Sequence, residues 1–277
     1  MVLVIIITLI LLLCLLFVVR KIRTSETGVS LVKISNNTKR RKKWNLKIPQ
    51  TIHQTHKTKQ VPLKMSEAIY TWINMNPEFE HKYYDDADLE NYIYLHGDDN
   101  VTSAYKRLKE MFPDKGAMRA DLFRLLVLKR EGGVYADCDT SPKRRLVDIL
   151  DKEDQYVTGI GRRSDFHQWL IITVPNHPFI KTALEMATRN ILENKPIPGG
   201  VSIESGFAGP PLLDKAVQHV LSTENKTKSL QEGTHKIAGG STYRVIKGDY
   251  LGGNVNFKYR GYNDDLKEMG IKHWTQK

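Results

Sequence analysis

Cysteine is nearly absent from this 277-residue chain: only Cys14 and Cys138 occur. That excludes a disulfide scaffold and a cysteine-built zinc site. Long apolar runs are as scarce, with a single one at residues 2–19, which excludes a polytopic membrane protein. No segment repeats itself, so the chain is not a repeat array. An excess of one charge is also missing from most of the chain, although the net charge is +11. Residues 20–47 hold ten lysines and arginines against Glu26 alone, leaving 32 positive and 30 negative residues elsewhere. The basic character is that of a tail, so the rest of the chain has no general attraction to a polyanion, and no nucleic-acid partner is expected. What is present, 40% hydrophobic, 26% charged and 9% aromatic residues, is ordinary for a globular protein and excludes a disordered or collagen-like chain.

The run at residues 2–19, VLVIIITLILLLCLLFVV, has no charge and only Thr8 as a clear polar break. As a helix it would measure roughly 27 Å, about the thickness of a bilayer's hydrocarbon core. It lacks a basic leading segment and ends in Arg20-Lys21 instead of small residues, which favours a retained transmembrane anchor at residues 1–19 over a cleaved signal peptide. Arg20, Lys21 and Arg23 follow the span, and the positive-inside rule then puts the domain on the cytoplasmic side. Residues 20–45 have no hydrophobic period and read as a flexible basic stem. The run Lys39-Arg40-Arg41-Lys42-Lys43 fits a solvated juxtamembrane spacer better than a nuclear signal or a lipid-headgroup patch.

Residues 46–277 read as one domain. Short apolar stretches at residues 48–53, 81–84, 134–138, 156–160 and 170–174 predict strands. Helical spacing covers residues 65–74, 86–95, 101–111 and 117–130, with Asp86 as a cap. This alternation predicts an α/β sandwich with a mostly parallel central sheet.

Chemistry concentrates in residues 119–140, RADLFRLLVLKREGGVYADCDT. Asp121 and Arg124 are three apart and share a helical face. Gly132-Gly133 stops that helix, and the next strand puts Val134 and Ala136 on one side and Tyr135 and Asp137 on the other. Asp137 and Asp139 at a strand end are costly to bury together unless a positive charge lies between them. A divalent cation supplies it, and hard oxygen ligands select Mg²⁺ or Mn²⁺. The histidines His53, His56 and His96 near strand ends suit hydrogen-bonded structural roles better than a zinc site.

These residues resemble glycosyltransferase family 32 in its Asp-x-Asp sugar-binding region. The resemblance extends to Ile48-Pro49-Gln50-Thr51-Ile52-His53-Gln54-Thr55, to Tyr84-Asp85-Asp86, to Gln168-Trp169-Leu170-Ile171 with Pro175-Asn176-His177-Pro178, and to Gly209-Pro210 and His273-Trp274. Asn176 stands where the family's turn has glycine, Ala208 where it often has threonine, and Lys272 where it has the first of two histidines. The Gln-Trp element is similar to that of the fungal initiating α-1,6-mannosyltransferases. The resemblance implies a GT-A-type, Rossmann-like domain that takes a nucleotide-sugar donor with a divalent metal and retains anomeric configuration. By the same carry-over, Asp121 and Arg124 hold the donor sugar's hydroxyls. Asp137 contacts ribose or sugar and, with Asp139, the metal. His53, Gln54, Thr55 and Tyr135 line the donor, and His273 or Trp274 closes on the diphosphate. GDP-mannose is the favoured donor and UDP-galactose, UDP-glucose or UDP-N-acetylglucosamine the alternatives, with a glycan, glycoprotein or glycolipid as acceptor. The family implies a Golgi or ER membrane protein with a lumenal domain, against the flanking charges. A catalytically silent, membrane-tethered binding module is the competing class.

Overall fold

The computed structural model describes residues 22–24, 30–37, 44–161, 164–198, 202–203 and 205–268. The expected anchor, half of the expected stem, and His273 and Trp274 lie outside them, and described residues of the stem form two short strands. Among the described residues no helix is long and apolar enough to cross a membrane.

Among the described residues, twelve strands form three sheets. β1 (Ile22–Thr24), β2 (Ser30–Lys33) and β4 (Gln60–Pro62) make a small antiparallel sheet, and β7 (Thr140–Pro142) pairs with β12 (Val255–Phe257). The central sheet has seven strands. Its order is β10 (Gly233–Lys236), β11 (Thr242–Ile246), β8 (Tyr156–Gly159), β9 (Leu170–Thr173), β6 (Gly133–Ala136), β3 (Thr51–Thr55) and β5 (Glu80–Tyr84). Three of its six pairings are parallel and three antiparallel, so the sheet is mixed and not mostly parallel as expected. β9 causes most of the difference: it runs against both β6 and β8. The link from β8 to β9 is ten residues long with no helix among its described residues, and a parallel return needs a crossover of a dozen or more residues.

Helices cover the sheet: α1 (Leu63–Met75), α2 (Asp86–His96), α3 (Asp99–Met111), α4 (Gly116–Glu131), α5 (Pro178–Glu193), α6 (Ser205–Ala208), α7 (Pro210–Ser222) and α8 (Tyr262–Glu268). Their ends follow from local chemistry. Asp85, one residue before the expected cap, accepts from the Asp88 amide while Asp88 returns a bond to the Asp85 amide, a reciprocal capping box. Asp98 caps α3 through the Val101 amide. α4 stops at Gly132, whose φ of 66° a side chain would strain. A Cβ on Gly132 would lie 2.6 Å from the Pro175 nitrogen, and one on Gly133 would lie 2.5 Å from the Thr51 carbonyl oxygen. The double glycine therefore lets α4 turn into β6 directly against β3.

One face of the sheet packs Tyr135, Tyr156, Ile171 and Tyr243 under Leu89, Leu108, Leu122, Phe123, Leu184 and Leu213 of the helices. The other face packs Ile52, Val134, Val157 and Ile172 against Trp72, Leu146, Leu251 and Val255. β6 is thus an interior strand covered on both faces, and its C-terminal end leads into Asp137 and Asp139.

Candidate active site

The site grows from the turn that ends β6. The Asp137 amide donates to the Trp169 carbonyl at 2.9 Å, which continues the ladder by one residue. The chain then folds back, with the Thr140 amide and hydroxyl both donating to the Asp137 carbonyl at 3.1 and 2.6 Å. Cys138 points inward and its thiol donates to the Thr55 carbonyl at 3.2 Å. With Cys138 pinned to β3, Asp137 and Asp139 project on the outer side of the turn.

Arg124 organises what lies above. Its Nη2 is 3.1 Å from Asp121 Oδ1 and 3.1 Å from Asp137 Oδ1, and its Nη1 donates to the Gln168 carbonyl at 2.9 Å. The guanidinium lies over the Tyr135 ring, 4.6 Å from its centroid. A planar fork with several donors can hold all these acceptors, and a lysine cannot. Gln168 in turn donates from Nε2 to the Ala208 carbonyl at 2.6 Å, tying the residues just before β9 to the end of α6.

The carboxylates do not share the cation equally. Burial pushes Asp121 up to about 6, with Arg124 opposing it and Asp137 adding to it. Asp137 is also raised by burial against the pull of Arg124. Asp139, further from Arg124, is pushed up to about 7 by burial and then by the charge of Asp137. Asp139 Oδ1 is buried and has no hydrogen-bond partner among the described residues. An orphaned carboxylate oxygen beside a second carboxylate is a hard-oxygen donor set, and it fits a divalent cation. No group of three or more His, Cys, Asp or Glu able to hold a metal occurs among the described residues. Two carboxylates suit Mg²⁺, which commonly takes one or two of them and completes its shell with substrate phosphates and water.

Other expected donor contacts sit elsewhere. His53 is fully buried, with Nδ1 accepting from the Tyr84 hydroxyl at 3.1 Å and Nε2 donating to the Gly132 carbonyl at 3.2 Å. Gln54 is also fully buried; it accepts from His81 Nε2 at 2.8 Å and donates to the Asp137 carbonyl at 3.4 Å. Tyr135 is 1% exposed beneath Arg124. Gln54 thus supports the turn, Tyr135 lies beneath Arg124, and His53 ties β3 to the glycine that precedes β6. Thr55 is half-buried at the end of β3, donating from Oγ1 to the Tyr84 carbonyl at 2.9 Å. His273 and Trp274 lie outside the described residues.

The structure adds a segment that the sequence did not signal. β12 pairs with β7 so that Phe257 is in register with Thr140, which puts Lys258 beside the carboxylate turn. The positive charge of Lys258 opposes the rise of Asp139, and its Nζ lies 4.8 Å from the Tyr262 ring centroid. Lys258 has φ 65°, a conformation rare for a side-chain-bearing residue and unsignalled by any glycine.

Residues 62–156 match the family model described as a glycosyltransferase sugar-binding region containing the DXD motif. The chain is 28% identical over 157 residues to the initiation-specific alpha-1,6-mannosyltransferase of Schizosaccharomyces pombe, covering 50% of this chain and 39% of that one. It is 30% identical over 146 residues to inositol phosphoceramide mannosyltransferase 2 of the same yeast, covering 52% and 39%. The chain thus spans about two-fifths of the length of these curated relatives. Among solved structures, PaToxG glycosyltransferase superposes with a TM-score of 0.51 at 21% identity, covering 62% of this chain and 68% of that one, a likeness of fold. Asp121, Arg124, Asp137 and Asp139 all lie inside the segment 62–156 that matches the sugar-binding region containing a DXD motif.

Proposed function

We propose that this chain is a metal-dependent, retaining glycosyltransferase of the GT-A type, which moves mannose from GDP-mannose to a glycan or glycolipid acceptor. One observation carries the proposal: a buried arginine locks two carboxylates in place at the end of the central strand, while the next carboxylate, Asp139, keeps an oxygen without a partner. The choice of mannose is supported by relatives named as mannosyltransferases. Membrane anchoring through residues 2–19, with the domain in the Golgi or ER lumen, is part of the same proposal.

The residues divide the work. Asp121 and Asp137 accept hydrogen bonds from donor hydroxyls, and Arg124 fixes both so that no reorganisation is needed when the donor arrives. Tyr135, Gln54 and His53 hold that frame from below. Asp137 and Asp139 would hold the cation. When bound, a divalent cation there offsets the charge that grows on the diphosphate leaving group as the anomeric bond breaks. Lys258 adds a second positive charge on the same side.

The test is a donor screen on the 277-residue chain with GDP-mannose, UDP-galactose, UDP-glucose and UDP-N-acetylglucosamine, each with Mn²⁺ and with chelator. Hydrolysis of GDP-mannose that stops with chelator is the expected result. Turnover of a UDP-sugar alone would move the donor to the uridine class. No turnover and no nucleotide binding from a folded chain would refute the transferase reading in favour of a silent module.

A further inference from the structure

Three aromatic rings crowd against the carboxylate turn without being absorbed into the core. Trp169 and Phe257 have ring centroids 5.1 Å apart, Trp169 and Tyr250 6.1 Å, and Tyr250 and Phe257 6.0 Å with planes only 17° from parallel. Trp169 and Tyr250 are half-buried, and Phe257 is 36% exposed. Backbone pairing places them: the Trp169 carbonyl receives the Asp137 amide, and Phe257 is in register with Thr140. Trp169 is thus bonded across the ladder to Asp137, Phe257 stands opposite the residue that follows Asp139, and Tyr250 joins the turn through these two rings.

Tyr250 is presented in an unusual way. Tyr250 and Leu251 both hold left-handed conformations, with φ 54° and 59°. Leu251 alone anchors the turn Asp249–Gly252, at 1% exposure in the core. The strained turn thus holds a second aromatic face beside Phe257 that packing of the turn itself does not require.

We infer that Trp169, Tyr250 and Phe257 form a platform for the acceptor, taking the apolar C–H face of a pyranose ring. This rests on the transferase reading above. Aromatic faces carry partial negative charge and attract polarised C–H groups, and sugar hydroxyls at the ring's edge would stay free to meet Lys258 and the carboxylate turn. Flat apolar surface with a few polar groups at its border is the usual make-up of a small-ligand site. None of the three residues lies within the matched segment 62–156, so the platform is a feature of this chain's C-terminal half.

The test measures binding of methyl glycosides of mannose, galactose, glucose and N-acetylglucosamine to the 277-residue chain by saturation-transfer NMR. At least one glycoside should bind, with saturation strongest on the hydrogens of one ring face. Its affinity should fall tenfold or more in Tyr250→Ala and in Phe257→Ala, while affinity for GDP or UDP with Mn²⁺ stays within twofold. Phe257→Trp, which keeps a flat face, should retain glycoside binding. Where an alanine variant melts early, Tyr250→Leu and Phe257→Leu replace it, since leucine keeps apolar volume without the flat face. Unchanged glycoside binding in these variants, or no binding by the parent chain, overturns the platform. A fall in nucleotide affinity instead would make it a base-stacking surface and overturn it too. Donor hydrolysis by the parent chain separates the two claims: a chain that hydrolyses donor but binds no glycoside loses only the platform. A chain that binds glycosides there but hydrolyses no donor loses only the transferase reading.

Discussion

Arg124 has three acceptors in reach and an aromatic ring beneath it, and this makes it the residue on which the site's geometry depends. Arg124→Lys keeps the charge but loses the fork. We expect it to cost about 2–3 kcal/mol of stability, since breaking a buried ion pair leaves carboxylates uncompensated, and to lower activity about a hundredfold. Urea unfolding and donor hydrolysis measure the two effects separately. A variant as stable and as active as the parent would show that the fork does not matter. The residues of this cluster were legible in the sequence because their spacing decides their neighbours: three apart on a helix, two apart at a strand end. The buried setting of His53, Gln54 and Tyr135 was not legible, for the opposite reason. β3 and β6 are covered on both faces, so their residues are buried without alternation, and no pattern says which polar side chain faces a ligand and which a helix.

At the scale of elements, the turn from α4 into β6 sets how closely the site is drawn to β3. Gly133 has φ 94°, and an added Cβ would meet the backbone of Thr51. Gly133→Ala should therefore destabilise the fold by about 3 kcal/mol or more, through strain and through separation of β6 from β3. A thermal melt reads this, and a change below about 1 kcal/mol would contradict the close approach. By contrast, Asp85→Ala removes one capping box from α2 and should cost about 1 kcal/mol with activity intact. Up to residue 174 the helices and strands that periodicity predicted stand within a few residues of their expected places, while β1, β2, β4 and β7 carried no such signal. Asn176 illustrates why a substitution in a motif can be harmless: it has φ 56°, a conformation asparagine tolerates almost as glycine does. The direction of β9 and the strained arm at residues 249–258 were not legible. The first depends on how a helix-free link closes, and the second on three non-glycine residues at positive φ, Tyr250, Leu251 and Lys258.

For the whole molecule, buried histidines give stability a definite pH dependence. Burial lowers His53 and His177 to about 4 and His81 to about 3, from an ordinary 6.5. Each stays neutral in the folded chain while its unfolded counterpart takes a proton below 6.5. Their contribution is thus complete above pH 7 and is lost as pH falls toward 4. Asp121 and Asp139 act with the opposite sign, because their raised values let the folded chain take protons first. His177 isolates the histidine effect, since it lies apart from these carboxylates, bonded to the Thr242 carbonyl and the Phe179 amide. The stability difference between the parent and His177→Gln should shrink by about 2 kcal/mol between pH 7.5 and pH 5. A difference independent of pH would mean that His177 titrates normally.

The central claim is that Asp139 supplies the carboxylate whose charge the reaction requires, and its most direct test is Asp139→Asn. The measurement is GDP-mannose hydrolysis by parent and variant over a range of Mn²⁺ concentrations, with melting temperature recorded for both. The account predicts a loss of activity of about a hundredfold or more at every Mn²⁺ concentration, from a variant at least as stable as the parent, because asparagine removes a buried charge set beside a second carboxylate, with one oxygen unbonded among the described residues. Hydrolysis by Asp139→Asn at the parent's rate, with the same dependence on Mn²⁺, would contradict it.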